Sequence, residues 1–148
     1  MPRAFAKNKP VPGDTTSLKE SLKIFMEKVD SGKYQEIIPF YDPGFLSIRV
    51  VDEGQLIKMN YQQMIYFWKT ISGRVAADST HRPPIITQKT TVHYVEISGD
   101  TGLVLMTRIK DLGHGPEPMF YSLTWIYKND KWNLLREIVH QRTLPNFR

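Results

Sequence analysis

The C-terminal part of the chain, residues 85–142, reads IITQKTTVHYVEISGDTGLVLMTRIKDLGHGPEPMFYSLTWIYKNDKWNLLREIVHQR. Three turn sequences interrupt its alternating and β-branched runs: Ser98-Gly99-Asp100, Gly113-His114-Gly115-Pro116 and Asn129-Asp130. Short glycine- and asparagine-containing turns between such runs are typical of antiparallel hairpins. The stretch therefore predicts a four-stranded antiparallel meander, with strands near residues 86–97, 102–111, 118–128 and 132–142.

The half before the meander has a mainly helical pattern. Ser17 and Glu20 form a capping-box pattern, and apolar residues then recur at helical spacing until Gly32, which predicts a first helix. A short second helix and a strand pair follow, and Asn60 is the predicted cap of a third helix. Residues 72–84 are expected to form a loop that is longer than a connection requires; such loops are often mobile or functional, and this one could cover the mouth of a pocket.

Length and composition indicate one soluble domain. The chain has 148 residues, of which 41% are hydrophobic and 24% charged, and it has no cysteine. We expect a domain over residues 17–142, an N-terminal tail over 1–16 and a C-terminal tail over 143–148. No apolar run is long enough to cross a membrane or to serve as a signal-peptide core, so a cytoplasmic location is expected.

Several kinds of partner are not expected. The net charge of +5 comes from basic residues scattered among acidic ones, without the basic stripe that nucleic-acid binding requires. The four histidines, His81, His93, His114 and His140, occur singly, without metal-ligand spacing. There is also no glycine-rich phosphate loop. We expect no metal, no cofactor, no nucleic acid and no membrane partner.

Three segments carry a resemblance to a known family. They are Phe40-Tyr41-Asp42-Pro43, Ser98-Gly99-Asp100-Thr101-Gly102 and Ile126-Tyr127-Lys128-Asn129-Asp130-Lys131-Trp132. Together with the element order, they resemble the nuclear transport factor 2-like superfamily over residues 17–142. That superfamily includes ketosteroid isomerases, scytalone dehydratase and SnoaL-like polyketide cyclases. The resemblance implies an α+β cone-shaped roll, in which helices pack on a strongly curved antiparallel sheet and leave a pocket between them.

The resemblance also implies a homodimer formed through the outer face of the sheet. The predicted strand around Leu105 is apolar on both faces, and helices can cover only one of them. The last strand has the same property, and we assign Trp132 and Leu134 to its outer face. A second subunit would cover these side chains.

Arg108 is the main candidate for ligand binding. A two-residue turn at Gly99-Asp100 would pair Thr91 with Arg108, His93 with Met106 and Val95 with Val104. The resemblance implies that Arg108 points into the pocket, where its guanidinium would suit an acidic group of a ligand. A structural salt bridge to Glu137 is the alternative. Further candidate ligand contacts are the aromatic residues Tyr34, Tyr41, Tyr121 and Trp125.

Three residues are candidates for proton transfer in a catalytic reaction. His93 would serve as a general acid or base. Asp30 resembles the aspartate that scytalone dehydratase places late in its first helix, and it would pair with His93 and orient the imidazole. Glu137 is a further candidate for proton transfer. An outward-facing His93 and a merely capping Asp30 are the structural alternatives.

Ketosteroid isomerase chemistry is not expected. That chemistry needs a carboxylate base together with a tyrosine and a protonated aspartate. The corresponding positions fall on Ile48, on Phe25 and near Ser122 or Leu123.

Taken together, the resemblance and the position of Arg108 predict a domain that binds a small molecule. The alternatives are a cofactor-free lyase, isomerase or cyclase and a dimeric interaction domain with a vestigial pocket.

Overall fold

The structure is a computed structural model that describes residues 11, 14–52, 54–77, 86–111 and 115–142. Its helices are α1 (Thr16–Asp30) and α2 (Tyr61–Ala77), and two 3₁₀ turns lie at Tyr34–Glu36 and Ile38–Phe40. Its strands are β1 (Tyr41–Val51), β2 (Leu56–Asn60), β3 (Ile86–Ser98), β4 (Thr101–Asp111), β5 (Pro116–Lys128) and β6 (Lys131–Gln141). The predicted α+β class is confirmed.

The strands form one sheet in the order β2-β1-β6-β5-β4-β3. Only β1 and β6 run parallel to each other in this order, and β3 to β6 form the predicted meander. Asn129 and Asp130 have φ angles of 53° and 59°, as a two-residue hairpin turn with left-handed residues requires. Part of the turn at 113–116 lies outside the described residues.

The two helices pack on the inner face of the curved sheet. Four residues of α1 are buried at helical spacing: Leu18, Leu22, Phe25 and Val29. Gly102 of β4 lies so close to this helix that a Cβ there would come within 2.5 Å of Leu18 Cδ2. Helix α1 therefore rests almost directly on the backbone of the sheet.

The helix starts differ in how well the sequence predicts them. The Asn60 backbone N–H donates to Gln63 Oε1 and the Gln63 N–H donates to Asn60 Oδ1, so the predicted cap of α2 is confirmed. The capping box predicted for α1 is wrong. There, Thr16 N–H donates to Asp14 Oδ1, and Ser17 Oγ instead accepts a hydrogen bond of 3.0 Å from Trp132 Nε1.

The loop predicted over residues 72–84 is partly wrong, because α2 continues to Ala77. Residues 78–85 lie outside the described part of the chain, as do residues 1–10 and 143–148 of the predicted tails. No helix among the described residues is both long and apolar enough to cross a membrane.

A β-bulge in β3 overturns the predicted position of His93. Val95 pairs with Val104 as predicted, but Tyr94 pairs with Leu105 and Val92 with Met106, so His93 is an extra residue. A bulge shifts the register by one residue, and Thr90 rather than Thr91 lies opposite Arg108. His93 is therefore exposed on the outer face, outside the predicted pocket.

A second bulge, in β6, overturns the predicted faces of Trp132 and Leu134. Trp125 pairs with Leu134 and Thr124 with Arg136, which makes Leu135 the extra residue. Both Trp132 and Leu134 are buried in the core on the helix side. The assignment of these two residues to the outer face is wrong, whereas Leu105 lies there and is 38% exposed.

Candidate functional site

A cavity of about 170 Å³ lies between the helices and the inner face of the sheet. Nine of its lining residues are aromatic or methionine: Phe25, Tyr41, Phe67, Trp68, Tyr121, Met59, Met64, Met106 and Met119. Four of the six methionines of the chain thus line one cavity. Methionine side chains are flexible and polarizable, so this wall can adapt to the shape of an apolar ligand.

Charged residues line part of the same cavity. They are Arg49, Arg108, Lys110 and Glu137. Arg108 and Lys110 lie two residues apart on β4, and side chains at that spacing share one face of a strand. The charged part of the wall therefore contains three cationic groups and one carboxylate.

Arg108 is almost completely buried and is held by two side chains. Its Nη2 forms an ion pair with Asp30 Oδ1 at the end of α1, and its Nε donates to Thr90 Oγ1 over 3.0 Å. The predicted alternative, a salt bridge from Arg108 to Glu137, is wrong, because the carboxylate partner is Asp30. The predicted pair of Asp30 with His93 is also wrong, since the bulge in β3 turns His93 away.

Glu137 belongs to a separate group of polar side chains. Its Oε2 accepts a hydrogen bond of 2.9 Å from Ser47 Oγ and lies 3.5 Å from Arg49 Nη2. Arg49 Nη1 also donates to Gln141 Oε1. Burial by itself lowers the pKa of Arg49, but the charge of Glu137 and the neighbouring Tyr121 and Tyr41 together outweigh this effect, so the pKa is raised. The guanidinium therefore keeps its charge beside the cavity.

Tyr41 offers a neutral hydroxyl to the cavity. Its oxygen accepts a hydrogen bond of 2.9 Å from Trp68 Nε1. Burial raises the pKa of Tyr41 well above its ordinary value, and the nearby charge of Glu137 adds to this. The phenol stays protonated at neutral pH and can donate its own hydrogen to a ligand.

The other predicted aromatic contacts divide into two groups. Tyr121 lines the cavity, but Tyr34 and Trp125 are buried core residues that do not line it. Tyr34 stacks on Trp68 with ring centroids 5.1 Å apart. Trp125 lies edge-on to Phe25. Both rings support the cavity wall from behind.

His93 lies on the outer surface of the sheet. Its Nε2 lies 2.7 Å from Thr107 Oγ1, at an exposed position. His140 is also exposed. Of these two histidines in the described residues, neither lines the cavity.

Sequence reasoning missed two cationic residues of the site. Lys110 lies two positions after Arg108, and that spacing alone signals that both face the cavity. Arg49 faces the cavity because β1 pairs with β6 and brings it beside Glu137. This parallel pairing joins distant segments and has no local sequence signal.

A shallow surface groove adjoins the cavity. Met59 and Phe67 line both of them, and Gln62, Gln63, Tyr66 and Thr70 complete the groove. Met59, at the end of β2, and Phe67, on α2, form the partition between the cavity and the surface.

In the described part of the chain, no group of acidic residues and histidines has an arrangement suited to a metal ion.

Comparison with known proteins identifies the fold. No protein-family model and no curated protein matches the chain. Among solved structures, a nuclear transport factor 2-like protein from Cytophaga hutchinsonii is similar with a TM-score of 0.64 and 11% identity, over 86% of this chain and 98% of the other. One from Pseudomonas putida has a TM-score of 0.64 and 13% identity, over 84% of each chain. One from Shewanella baltica has a TM-score of 0.59 and 12% identity, over 84% of this chain and 90% of the other.

Proposed function

We propose that this chain, which has the nuclear transport factor 2-like fold, binds a small and largely apolar ligand with an acidic group. The observation that carries this proposal is the composition of the cavity wall. Aromatic and methionine side chains form most of it, and cationic groups are concentrated on the sheet side. Ligand sites are commonly apolar cavities with a few polar groups that fix the orientation of the ligand.

Arg108 is a suitable contact for the acidic group. Its Nε and Nη2 are held by Thr90 and Asp30, which fixes the plane of the guanidinium at the cavity wall. A pre-oriented guanidinium binds a carboxylate at a lower entropic cost than a flexible side chain does. Tyr41 can donate a further hydrogen bond from its neutral hydroxyl.

Binding is favoured over catalysis by the position of His93. Proton transfer needs a suitable group within hydrogen-bond reach of the reacting atom, and His93 lies on the outer face. Of the three residues considered for catalysis, Glu137 lines the cavity, and it is held by Ser47 and Arg49. These two contacts hold the carboxylate in place, which favours a structural role for Glu137 over a role in proton transfer.

A panel of small apolar acids and their neutral analogues tests the proposal. Trp68 lines the cavity, so ligand binding should change tryptophan fluorescence, and calorimetry should give the same Kd. We expect Arg108→Gln to weaken acid binding at least tenfold, while exposed Arg142→Gln changes it less than twofold. If no compound binds the wild-type protein, or Arg108→Gln binds the acids unchanged, the proposal is wrong.

We also propose that the protein forms a homodimer through the outer face of the sheet. Tyr94 pairs with Leu105, which pairs with Ser122, and Ser122 pairs with Ile138. Three of these four aligned side chains are exposed and apolar. A two-fold axis would place this row of side chains against its own copy and remove it from water. Light scattering distinguishes the dimer from a monomer.

A further inference from the structure

We infer that Lys110 is a direct contact for the acidic group and that the ligand is a single-ring monocarboxylic acid. This inference rests on the proposed function, because it specifies the ligand class and a second cationic contact in the same cavity. Four observations carry it: the burial of Lys110, the direction of its side chain, its lack of an ion pair with any described carboxylate, and the volume of the cavity.

Lys110 is a buried cation. It is 8% exposed, and it lines the cavity together with Arg108. Lysine side chains are rarely buried to this extent without a charged partner, because the ammonium loses its hydration. A buried lysine beside an apolar cavity therefore requires an explanation.

The ammonium points along the sheet into the cavity. The register partner of Lys110 on β5 is Glu117, but Lys110 Nζ lies 5.3 Å from the ring centroid of Tyr121. Tyr121 is four residues further along β5, opposite Met106, and it also lines the cavity. The side chain thus lies over an aromatic face of the cavity wall.

Lys110 makes no ion pair with a carboxylate of the described residues. The other two cations of the cavity wall do, since Arg49 pairs with Glu137 and Arg108 with Asp30. The face of Tyr121 compensates in part for the lost hydration, but a ring is a weaker partner than a carboxylate. A ligand that brings one negative charge would supply the missing partner.

The volume of the cavity limits the size of the ligand. An apolar protein cavity of about 150 Å³ holds one benzene molecule. At about 170 Å³, this cavity has room for one six-membered ring with a small substituent. The surrounding rings of Phe25, Phe67 and Trp68 suit a flat apolar group, and a carboxylate on it would face Lys110 and Arg108.

The experiment uses the full chain with benzoate as the acid and benzamide as the neutral analogue of the same shape. Such small ligands have few atoms, so Kd values from micromolar to millimolar are expected. We expect Lys110→Met to weaken benzoate binding at least tenfold and to change benzamide binding less than threefold. Lys89→Met is the matched control, because Lys89 is exposed on β3, and it should leave both Kd values unchanged.

A second readout does not need a ligand. Methionine nearly matches the shape of lysine without its charge, so Lys110→Met should raise the melting temperature of the free protein, and Lys89→Met should not. A lower melting temperature in Lys110→Met would contradict the premise that the charge of Lys110 lacks a partner in the free protein. Lys110→Gln would then replace Lys110→Met in the binding assay.

The possible results separate the two proposals. If benzoate binds Lys110→Met or Lys110→Gln as tightly as the wild type but is lost in Arg108→Gln, the role of Lys110 is wrong and the proposed function stands. If larger apolar acids such as 2-naphthoate bind and benzoate does not, the single-ring class is wrong. If no acid or neutral compound binds the wild-type protein, both the inference and the proposed function are wrong.

Discussion

Arg108, near the end of β4, forms an ion pair with Asp30, the last residue of α1. The Arg108 side chain is 3% exposed and that of Asp30 is 37% exposed, so the pair connects a buried charge to the protein surface. Removing the carboxylate would leave the guanidinium with a single side-chain hydrogen bond, to Thr90.

Asp30→Asn should therefore lower the free energy of unfolding by about 1–3 kcal/mol, between the values typical of exposed and of buried pairs. Chemical denaturation measures this change. The control is Glu36→Gln, which removes the solvent-screened Lys28–Glu36 pair and should lower the stability much less. Equal losses in the two variants would show that the Arg108–Asp30 pair has no special role.

The same variant has an expected effect on ligand binding. Asp30 holds the guanidinium of Arg108 in place at the cavity wall, so Asp30→Asn should weaken the binding of anionic ligands and also destabilise the free protein. Calorimetry at a temperature well below unfolding measures both acid and neutral ligands. A variant that binds acids more tightly and neutral analogues unchanged would show that Asp30 competes with the ligand for Arg108 rather than supports the site.

Gly102→Ala should destabilise the protein. The added Cβ would lie 2.5 Å from Leu18 Cδ2 and 3.3 Å from Trp132 Cζ3, and both side chains are buried. Forcing α1 away from the sheet should cost about 1–3 kcal/mol. Gly73→Ala is the matched control: nothing lies within 4 Å of its Cβ, and alanine should stabilise α2 by roughly 0.5–1 kcal/mol. Changes of the same sign in both variants would contradict the close packing of α1.

The stability of the protein should fall in alkaline solution because of Tyr34. Burial and the charge of Asp30 raise the pKa of Tyr34 from 10.0 to about 12. The folded state holds the phenol proton more tightly, so this contribution is complete below pH 10 and is lost as the pH rises towards about 12. A shift of this size corresponds to roughly 2–3 kcal/mol.

Denaturation at several pH values between 9 and 12 tests this expectation. Tyr34→Phe should flatten the loss of stability relative to the wild type. Tyr41, whose pKa is also raised, should cause the loss that remains. An unchanged pH dependence in Tyr34→Phe would show that Tyr34 does not control it.

Local sequence signals predicted the meander and the start of α2, since the turns at Gly99-Asp100 and Asn129-Asp130 and the cap at Asn60 depend on neighbouring residues. The two bulges limited the prediction of the site. Each adds one residue to a strand and exchanges its two faces, which moved His93 out of the cavity and moved Trp132 and Leu134 into the core. An alternating pattern cannot indicate such an insertion when both faces contain apolar residues, as in β6.

Charged partners were also difficult to predict. Arg108 faces the cavity as expected, but its partner depends on where the end of α1 lies above the sheet. Asp30 and Arg108 are 78 residues apart in the chain, and their contact follows from the packing of Leu18 against Gly102 rather than from a motif. The carboxylate of Glu137, which the strand pattern offers as a partner for Arg108, is instead held by Arg49 and Ser47.

Phe67→Ala should accelerate ligand exchange. Phe67 and Met59 separate the cavity from the surface groove, so a smaller side chain at position 67 would open a path between them. We expect both association and dissociation rates to rise severalfold, with a smaller change in Kd. Stopped-flow tryptophan fluorescence measures the rates, and Thr70→Ala, at the outer part of the groove, is the control. Unchanged rates in Phe67→Ala would show that ligands enter elsewhere.

Ile138→Lys should convert the expected dimer into a monomer. Ile138 is 39% exposed on the outer face and belongs to the cross-strand row that contains Leu105 and Tyr94. A two-fold axis near this row would bring two introduced ammonium groups together in an apolar interface, which is strongly unfavourable. Tyr66→Lys is the control, because Tyr66 is 74% exposed on α2 and lies away from the sheet. Light scattering should give a dimer mass for the wild type and for Tyr66→Lys, and a monomer mass for Ile138→Lys. A monomeric wild type or a dimeric Ile138→Lys would exclude this interface.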